Sequence, residues 1–565
     1  MAERLVFISY ETPYAPCGGI AAVMGRMPGY VQAAAGLETI VVTPYHHRIE
    51  KTRSLPLEWI GRVGVKTAAR ETPVPVDIGR WVDKNGLGWF FIKPQDEAFF
   101  AGQRHPYDVA KTQQEIGTIL QRDALFFGAA LAKALPVIDG RAHWNLLMQD
   151  WEAATVALAL GRRRGQYGLF LTLHNSYDSG GVSEERLEAV GIDPRYCKGP
   201  ADAAQASVLE RVLKVTRTPI FTVSKQFAVD LIQDPVQCKI VAPHLQKQLR
   251  QRLCGIDNGP FANLAMRDEL LDQAKGGDFD GLRKWKESRK SEALSALKAS
   301  QPSKEKPVWG DLTRFDGDLP WLVMAGRDDP RQKGYDVAAL AIRRFLLAGG
   351  EARFLFFPIP GDEGQDGLTF LRKLAEEFPG SVLALPFVFK EGFTAAVQGA
   401  DFGLMPSLYE PFGMANEYYL NGTPVIGRAT GGIIQQIVPL RSAKVFTPSV
   451  EARANFWYGP DASPSGLLFR EEDGLPSLEE DWRSINAAGY DPQGGSPDRV
   501  EERGSYPLVQ AMARQLQVAL EDGLQVKRNP RLYFSMLADG VRFIQASFSW
   551  QRSAQELVDR LSIEP

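Results

Sequence analysis

Short apolar runs alternate with amphipathic segments through the first half of the chain. The runs are rich in β-branched and aromatic residues, and a helical pattern follows most of them. This alternation is typical of parallel sheets covered by helices on both faces. It predicts strands over 4–10, 38–44, 88–93, 144–149, 167–173 and 219–223, and helices over 18–35, 122–135 and 152–163.

A second alternation begins at residues 320–327, whose sequence is PWLVMAGR, and continues through four more apolar runs. We therefore predict an α/β protein with two Rossmann-like domains, over 1–255 and 256–540. Ligands of such domains bind at the carboxyl ends of the strands, so we expect both sets of strand ends to face a central cleft.

Two segments interrupt the pattern. Residues 258–318 contain a basic, helix-prone stretch, LRKWKESRKSEALSALKASQPSKEK, which predicts a solvated helix. Residues 474–506 are rich in Gly, Pro, Ser and charged residues, and this composition predicts a surface insertion.

The composition is that of an ordinary globular protein. The 565 residues include 65 basic and 68 acidic ones, a formal net charge of −3, and 44% are hydrophobic. This balance argues against a disordered chain and against a nucleic-acid partner. The first apolar run is too short for a signal peptide, and no stretch reaches the ~18 apolar residues of a membrane helix. With only four scattered cysteines, we expect a cytoplasmic protein with no membrane partner.

The first candidate site is the paired glycine Gly18-Gly19, between a predicted strand and a predicted helix. Two glycines let a backbone approach a ligand closely, and a helix N-terminus stabilises a phosphate by ~0.3 to 2 kcal/mol. A turn without a ligand is equally compatible with the pattern. The GxGxxG motif of dinucleotide-binding proteins is absent here.

The second candidate site combines two strand ends. His174 and Asn175 follow an apolar strand, and a histidine there can bind a sugar hydroxyl or transfer a proton. Asp150 and Trp151 follow the preceding strand and offer a carboxylate and a ring to a sugar. The alternatives are a structural histidine and, for Asp150, the N-cap of the next helix.

The third and fourth candidate sites lie in the second domain. Arg327, Arg331 and Lys333 follow its first strand and could neutralise a diphosphate, although a solvated turn is the alternative. Glu410 stands in a loop after a later strand and could accept hydrogen bonds from sugar hydroxyls. The next strand ends in Thr430-Gly431-Gly432, whose N–H groups could bind ribose or phosphate.

The chain resembles the bacterial glycogen and plant starch synthases, which are retaining glycosyltransferases of the two-domain GT-B type. The order and spacing of the shared motifs are similar over nearly the whole length. The motifs are Gly18-Gly19, Gln149-Asp150-Trp151, His174-Asn175, Val223-Ser224, Gly255-Ile256-Asp257, Gly326-Arg327 with Lys333-Gly334, Ala400-Asp401-Phe402 through Glu410-Pro411, Thr430-Gly431-Gly432, and Phe548-Ser549-Trp550 with Ser553-Ala554.

The resemblance implies transfer of glucose from a nucleotide-glucose donor, with ADP-glucose favoured, to the non-reducing end of an α-1,4-glucan acceptor. It implies no metal and no organic cofactor, and it places a last helix, within 541–565, against the first domain. The residues implied are catalytic His174, Arg327, Lys333 and Glu410; donor-binding Gly18, Gly19, Arg331, Thr430, Gly431 and Gly432; and acceptor-binding Asp150, Trp151 and Asn175.

Two departures from the family pattern keep other functions open. The family has Lys-Thr-Gly-Gly where this chain has Pro16-Cys17-Gly18-Gly19, and Ala22 stands where an acidic residue is usual. One alternative is therefore a regulatory protein that binds glucan or nucleotide sugar without catalysis. The other is a transferase that makes a different glycoside.

Overall fold

A computed structural model describes residues 4–52, 54–108, 113–138, 144–199, 205–361, 363–475, 478–487 and 498–561. The chain divides into two compact units. Unit 1 comprises Met1–Gly259 and Ser549–Pro565, and unit 2 comprises Pro260–Phe548. The last residues of the predicted final helix, 562–565, lie outside the described part.

Unit 1 is built on a nine-stranded sheet with the order β3-β4-β5-β2-β1-β6-β7-β8-β9. Its central strands, β1 and β6, are buried along their whole length, as their continuous apolar sequences predict. The strands are β1 Arg4–Ser9, β2 Glu38–Pro44, β3 Glu58–Val65, β4 Val74–Val82, β5 Gly88–Pro94, β6 Trp144–Gln149, β7 Tyr167–Leu173, β8 Ile220–Thr222 and β9 Leu253–Gly255.

The hairpin of β3 and β4 is absent from the sequence prediction. Both strands pair antiparallel, β3 with β4 and β4 with β5, whereas the other pairs of the sheet are parallel. In β3 only Val65 is fully buried, and Arg62 forms an ion pair with Asp77 of β4 at 2.5 Å. Because polar residues and glycines fill the outer positions, this strand lacks the apolar run that identifies the buried ones.

The helices of unit 1 include one that the prediction made too long. The helix expected over 18–35 is two helices, since the chain turns at Gly25 and Arg26 and starts again with Pro28 in the first turn. The helices are α1 Gly19–Met24, α2 Met27–Ala35, α3 His47–Thr52, α4 Gln113–Ile138, α5 Asp150–Ala159, α6 Glu184–Glu188, α7 Val208–Val212, α8 Lys225–Gln233 and α9 Gln246–Leu249, with 3-10 turns at Gly161–Gln166, Pro194–Tyr196 and Pro243–Leu245 and a π-helix at Val236–Val241.

Unit 2 is built on a six-stranded parallel sheet with the order β12-β11-β10-β13-β14-β15. Helices pack against the sheet, and the last of them is followed by a helix of unit 1. The strands are β10 Trp321–Arg327, β11 Arg353–Ile359, β12 Val382–Ala384, β13 Phe402–Met405, β14 Val425–Arg428 and β15 Leu467–Phe469. The helices are α10 Asp268–Lys275, α11 Asp280–Ala299, α12 Tyr335–Leu347, α13 Thr369–Glu377, α14 Phe393–Gly399, α15 Ala415–Leu420, α16 Gly431–Gln436, α17 Pro448–Ala454, α18 Leu478–Ala487, α19 Arg499–Arg503, α20 Pro507–Arg528 and α21 Pro530–Ser547, with a 3-10 turn at Asp366–Leu368, and α22 Trp550–Leu561 belongs to unit 1.

The helix predicted within 258–318 is present as α11, but the expectation that it is solvated holds for only part of its surface. Helix α11 packs against α14, and the side chain of Lys286 is buried within the unit. Its ammonium donates hydrogen bonds to the carbonyl oxygens of Gln398 at 3.0 Å, Ala400 at 2.6 Å and Gly422 at 2.6 Å. Burial lowers the pKa of Lys286 to about 7. This basic helix is therefore anchored in the unit by one of its charges.

The prediction of a surface insertion over 474–506 is wrong for the described part. Trp482 of α18 is buried, and the guanidinium of Arg428 lies over its ring at 5.8 Å. Arg499 and Arg503 of α19 are buried as well. Residues 476–477 and 488–497 of this segment lie outside the described residues.

None of the helices in the described residues combines the length and the apolar character that crossing a bilayer requires.

Candidate active site

Each sheet has one point at which the strand order reverses. In unit 1, β1 lies between β2 and β6, and in unit 2, β10 lies between β11 and β13. At such a point the connections that follow two neighbouring strands run to opposite sides of the sheet. This arrangement opens a crevice at the carboxyl ends of these strands. The sequence-predicted site residues follow β1, β6 and β7 in unit 1 and β10, β13 and β14 in unit 2.

The glycine turn after β1 is organised by Glu11, a residue that the sequence analysis did not select. The buried Glu11 carboxylate accepts hydrogen bonds from the N–H groups of Cys17 at 2.9 Å, Gly18 and Ala21 at 3.2 Å. The hydroxyl of Tyr107 donates to its other oxygen at 3.3 Å. A carboxylate thus takes donors that the prediction assigned to a phosphate, including the Gly18 N–H. A glutamate between a strand and a paired glycine is the signal that could have revealed this.

Asp150 ties the ends of β6 and β7 together. Its carboxylate accepts the backbone N–H of His174 at 2.7 Å and the Asn175 side-chain amide at 3.4 Å. The N-cap of α5 is Gln149, so the alternative role of Asp150 as N-cap is wrong. Burial raises the pKa of Asp150 to about 7, because the unit excludes water from the carboxylate.

His174 is a neutral hydrogen-bonding group. Its Nε2–H donates to the side-chain oxygen of Gln149 at 2.7 Å, and this leaves Nδ1 as the acceptor of the ring. Burial lowers the pKa of His174 to about 4, so the imidazole carries no charge near neutral pH. A ring in this state can accept a hydrogen bond from a sugar hydroxyl.

The other two predicted acceptor residues of unit 1 have structural contacts. Trp151 is 7% exposed and belongs to the hydrophobic core, so the prediction that its ring stacks on a sugar is not supported. The Asn175 side-chain oxygen accepts the N–H of Tyr177 at 2.7 Å and shapes the loop after β7. Unit 1 therefore brings Glu11, Asp150, His174 and Asn175 together, with Trp151 behind them.

The loop between β10 and α12 carries three cations, two of which lie beside the Asp329 carboxylate. Arg327, which is 46% exposed, approaches the Asp329 carboxylate at 3.5 Å, and the guanidinium of Arg331 lies 3.9 Å from it. Asp329 also accepts the backbone N–H of Arg331 at 3.0 Å, and its carbonyl accepts that of Lys333 at 3.0 Å. The loop is thus folded around Asp329, and its cationic side chains project from a fixed turn.

Glu410 joins this loop to the one that follows β13. Its carboxylate accepts the Lys333 ammonium at 2.6 Å, the Gln332 amide at 3.0 Å and the Ser407 hydroxyl at 3.1 Å. The backbone N–H of Leu408 donates to the carbonyl oxygen of Gln332 at 2.7 Å. Arg327, Arg331 and Lys333 face the carboxylates of Asp329 and Glu410, while the Asp328 carboxylate of the same loop is paired with Arg499. This leaves an excess of positive charge at the strand edge, as a diphosphate site needs.

The glycines of Thr430-Gly431-Gly432 allow the Glu410 loop to pack closely. A Cβ on Gly431, which has φ +47°, would lie 1.6 Å from the Glu410 carbonyl oxygen. A Cβ on Gly432 would lie 2.3 Å from the Phe412 oxygen, and the Gly432 N–H donates to the Glu410 carbonyl at 3.0 Å. The N–H of Thr430 donates to the backbone carbonyl oxygen of Arg428 at 2.8 Å. These N–H groups of Thr430 and Gly432 therefore serve the protein's own backbone, not the ribose or phosphate proposed for them.

Arg428 is a further support of the Glu410 loop that the sequence analysis did not select. Its buried guanidinium donates to the Leu408 carbonyl at 2.5 Å and to Glu471 at 2.8 Å. Cations hold the pKa of Glu471 at about 2 despite its burial, since Arg428 and Arg470 both lie beside it. The partner carboxylate lies 43 residues away, so only the folded chain reveals this pair.

Comparison with known proteins finds similar sequences and a similar fold. Residues 4–247 match the family described as the starch synthase catalytic domain. A glycogen synthase of Anaeromyxobacter sp. (strain Fw109-5) is 27% identical over 451 residues, which cover 76% of this chain and 84% of that protein. A glycogen synthase of Kosmotoga olearia is 24% identical over 485 residues, covering 84% and 91%.

A solved structure shows the same fold. The catalytic domain of Starch Synthase IV from Arabidopsis thaliana, bound to ADP and acarbose, matches with a TM-score of 0.69 at 17% identity, covering 100% of this chain and 99% of that chain. The predicted fold class, two Rossmann-like α/β domains of the GT-B type, is confirmed. The chain is therefore similar to glycogen synthases over most of its length, and residues 4–247 are similar to the starch synthase catalytic domain.

Proposed function

We propose that the chain is a glycosyltransferase that moves glucose from a nucleotide-glucose, ADP-glucose being favoured, to the non-reducing end of an α-1,4-glucan with retention. The observation that carries this proposal is the loop of three cations at the switch point of unit 2, tied through Lys333 to Glu410. Its charge suits the diphosphate of an activated sugar. The four free cysteines fit a reducing compartment, and the cytoplasm is part of the proposal.

Unit 2 is the nucleotide-sugar side in this proposal. Arg327, Arg331 and Lys333 bind the donor diphosphate and stabilise the charge that grows on it as the sugar leaves. Glu410 orients Lys333 and offers its carboxylate to the donor. Thr430, Gly431 and Gly432 act by setting the position of the Glu410 loop.

Unit 1 is the acceptor side. The Nδ1 atom of His174 accepts a hydrogen bond from a hydroxyl of the transferred glucose. Asp150 fixes the backbone at His174 and lies near the acceptor. Because His174 is neutral, its contribution is orientation by hydrogen bonding. Asn175 and Glu11 shape the backbone around these two groups.

The chemistry is a substitution on one face of the sugar. The bond between C1 of glucose and the donor phosphate oxygen breaks, and the hydroxyl oxygen of the acceptor bonds to C1 on the same face. The proton of that hydroxyl passes to the leaving phosphate oxygen. The nucleoside diphosphate departs with its charge neutralised by the cations of unit 2.

A second candidate is a protein that binds glucan or nucleotide sugar without turnover. The observation that favours it is the glycine turn, where Pro16 and Cys17 stand in place of the family's cation and Glu11 takes N–H groups of the turn. A third outcome is transfer to a different acceptor. One assay separates the three.

The assay measures nucleotide release from ADP-glucose and UDP-glucose with glycogen as acceptor. We expect release by the wild type, a product that α-amylase digests, and a loss of ~100-fold or more in turnover for Lys333→Ala. Lys298→Ala, an exposed lysine of the same unit, is the matched control and keeps wild-type turnover. Glucan binding without release identifies the second candidate, an amylase-resistant product the third, and unchanged turnover in Lys333→Ala removes the role of that residue.

A further inference from the structure

Helix α19, Arg499–Arg503, is a short element with a buried arginine at each end. Arg499 is 3% exposed and Arg503 is 1% exposed. The Asp498 carboxylate caps the helix by accepting the N–H groups of Val500 at 3.0 Å and Glu501 at 3.3 Å. Both arginines therefore point into unit 2 from a helix of only five residues.

Arg499 forms an ion pair with Asp328, the residue that follows Arg327. Its guanidinium donates to one carboxylate oxygen of Asp328 at 2.9 Å and also to the other. It donates as well to the Gly367 carbonyl at 2.6 Å and lies 4.8 Å from the centre of the Phe370 ring. A two-pronged contact of this kind fixes both the position and the orientation of the Asp328 side chain.

Arg503 grips the same loop two residues further on. Its guanidinium donates to the Pro330 carbonyl at 2.5 Å and lies 3.6 Å from the carboxylate of Asp336, at the start of α12. Among the described residues, no hydrogen bond reaches the buried carboxylate oxygens of Asp336, so Arg503 is the cation that faces them. The contact points at 328 and 330 lie next to the cation-bearing positions 327 and 331, respectively.

Ion pairs also link the start of α19 to α13. The ammonium of Lys373 on α13 lies 2.9 Å from Asp498 and 2.5 Å from Glu501. The ion pairs of Arg499 with Asp328 and of Arg503 with Asp336, in contrast, are buried. Buried ion pairs contribute little net free energy of folding, because removing both charges from water costs about as much as their attraction returns. Their best-attested use is to specify one arrangement of the chain. Such an arrangement is what a loop of diphosphate-binding cations requires.

We propose that Arg499 and Arg503 are positioning residues that hold the Arg327–Lys333 loop in the conformation that binds the donor diphosphate. This inference rests on the proposed function. The expected consequence is specific: loss of either arginine weakens donor binding, while the acceptor site and the chemistry of a bound donor are preserved.

The test is steady-state kinetics of Arg499→Met and Arg503→Met with the donor and the glucan varied separately. We expect the donor KM to rise by about tenfold or more, with kcat at saturating donor and the glucan KM within about twofold of wild type. Arg499→Lys keeps the charge but cannot span both oxygens of Asp328, so its donor KM also rises. The control is Arg353→Met, which removes an ion pair with Asp316 at the amino end of β11 and leaves the donor KM unchanged.

Two results overturn the proposal. The first is an unchanged donor KM in both variants. The second is a lower kcat with unchanged KM values for donor and glucan, because a lower kcat alone reports only a smaller folded fraction. If the wild type neither binds ADP nor releases nucleotide, the proposed function fails, and amide hydrogen exchange of residues 327–334 decides the positioning role. Faster exchange in the two variants than in wild type and Arg353→Met supports it, and equal exchange overturns it.

Discussion

Gly431→Ala tests whether the position of the Glu410 loop controls turnover. The added Cβ would lie 1.6 Å from the Glu410 carbonyl oxygen. Ordinary contact between such atoms begins near 3.5 Å, so the loop must retreat by roughly 1.9 Å. Since a displacement of ~1 Å at a catalytic site can cost ~100-fold in rate, we expect kcat/KM to fall by ~100-fold or more.

Gly349→Ala is the matched control for this variant. Gly349 also has a positive φ, +83°, but a Cβ there meets nothing within 4 Å. Both variants therefore carry the ~1 to 2 kcal/mol strain of an alanine in the left-handed region, and only Gly431→Ala adds the clash. The measurement is nucleotide release from the favoured donor, with folding checked by circular dichroism. Near wild-type kcat/KM in Gly431→Ala would refute the reasoning, as would an equal loss in both variants.

Two further predictions concern buried charges. The pKa of Asp150 is raised to about 7, so the folded chain holds this proton more tightly than the unfolded chain. As the pH rises from about 4 to about 7, the free energy of unfolding of wild type should therefore fall, relative to that of Asp150→Asn, by up to about 1.4 kcal/mol per pH unit. Urea titrations of both proteins over that range check this, and a constant difference contradicts it. Lys286→Met leaves three buried carbonyl oxygens without their donor and should lower the free energy of unfolding by ~3 kcal/mol or more, whereas Lys284→Met, at an exposed position of the same helix, should lower it little. Equal urea midpoints of these two variants would contradict the second prediction.

The sequence was sufficient for the elements whose character is local. The apolar runs identify the parallel strands of both sheets except the three-residue strands β9 and β15, which were not predicted. The polar residues that follow β6, β7, β10 and β13 lie at the strand ends, where ligands of such sheets bind. In unit 2, Lys333 and Glu410 are 77 residues apart and were selected separately, and the adjacency of β10 and β13 in the sheet brings them together.

Features set by distant partners could not be predicted. Lys286 looks like a solvated charge because its three carbonyl partners lie more than a hundred residues away. The Gly-, Pro- and charge-rich composition around Arg499 gives no hint of its partner Asp328, 171 residues earlier. Trp151 follows a strand end, as a sugar-binding ring would, but the core takes its side chain.

The hairpin at the margin of unit 1 has a consequence for association between molecules. Strand β5, with four consecutive buried residues, would otherwise present open hydrogen-bonding groups and an apolar ribbon to other chains. The hairpin occupies that border, and its outermost strand, β3, carries charged residues such as Glu58 and Arg62. Charges on a terminal strand discourage intermolecular β-pairing. The hairpin thus opposes aggregation through β5, and this role is independent of any catalysis at the carboxyl ends of the strands.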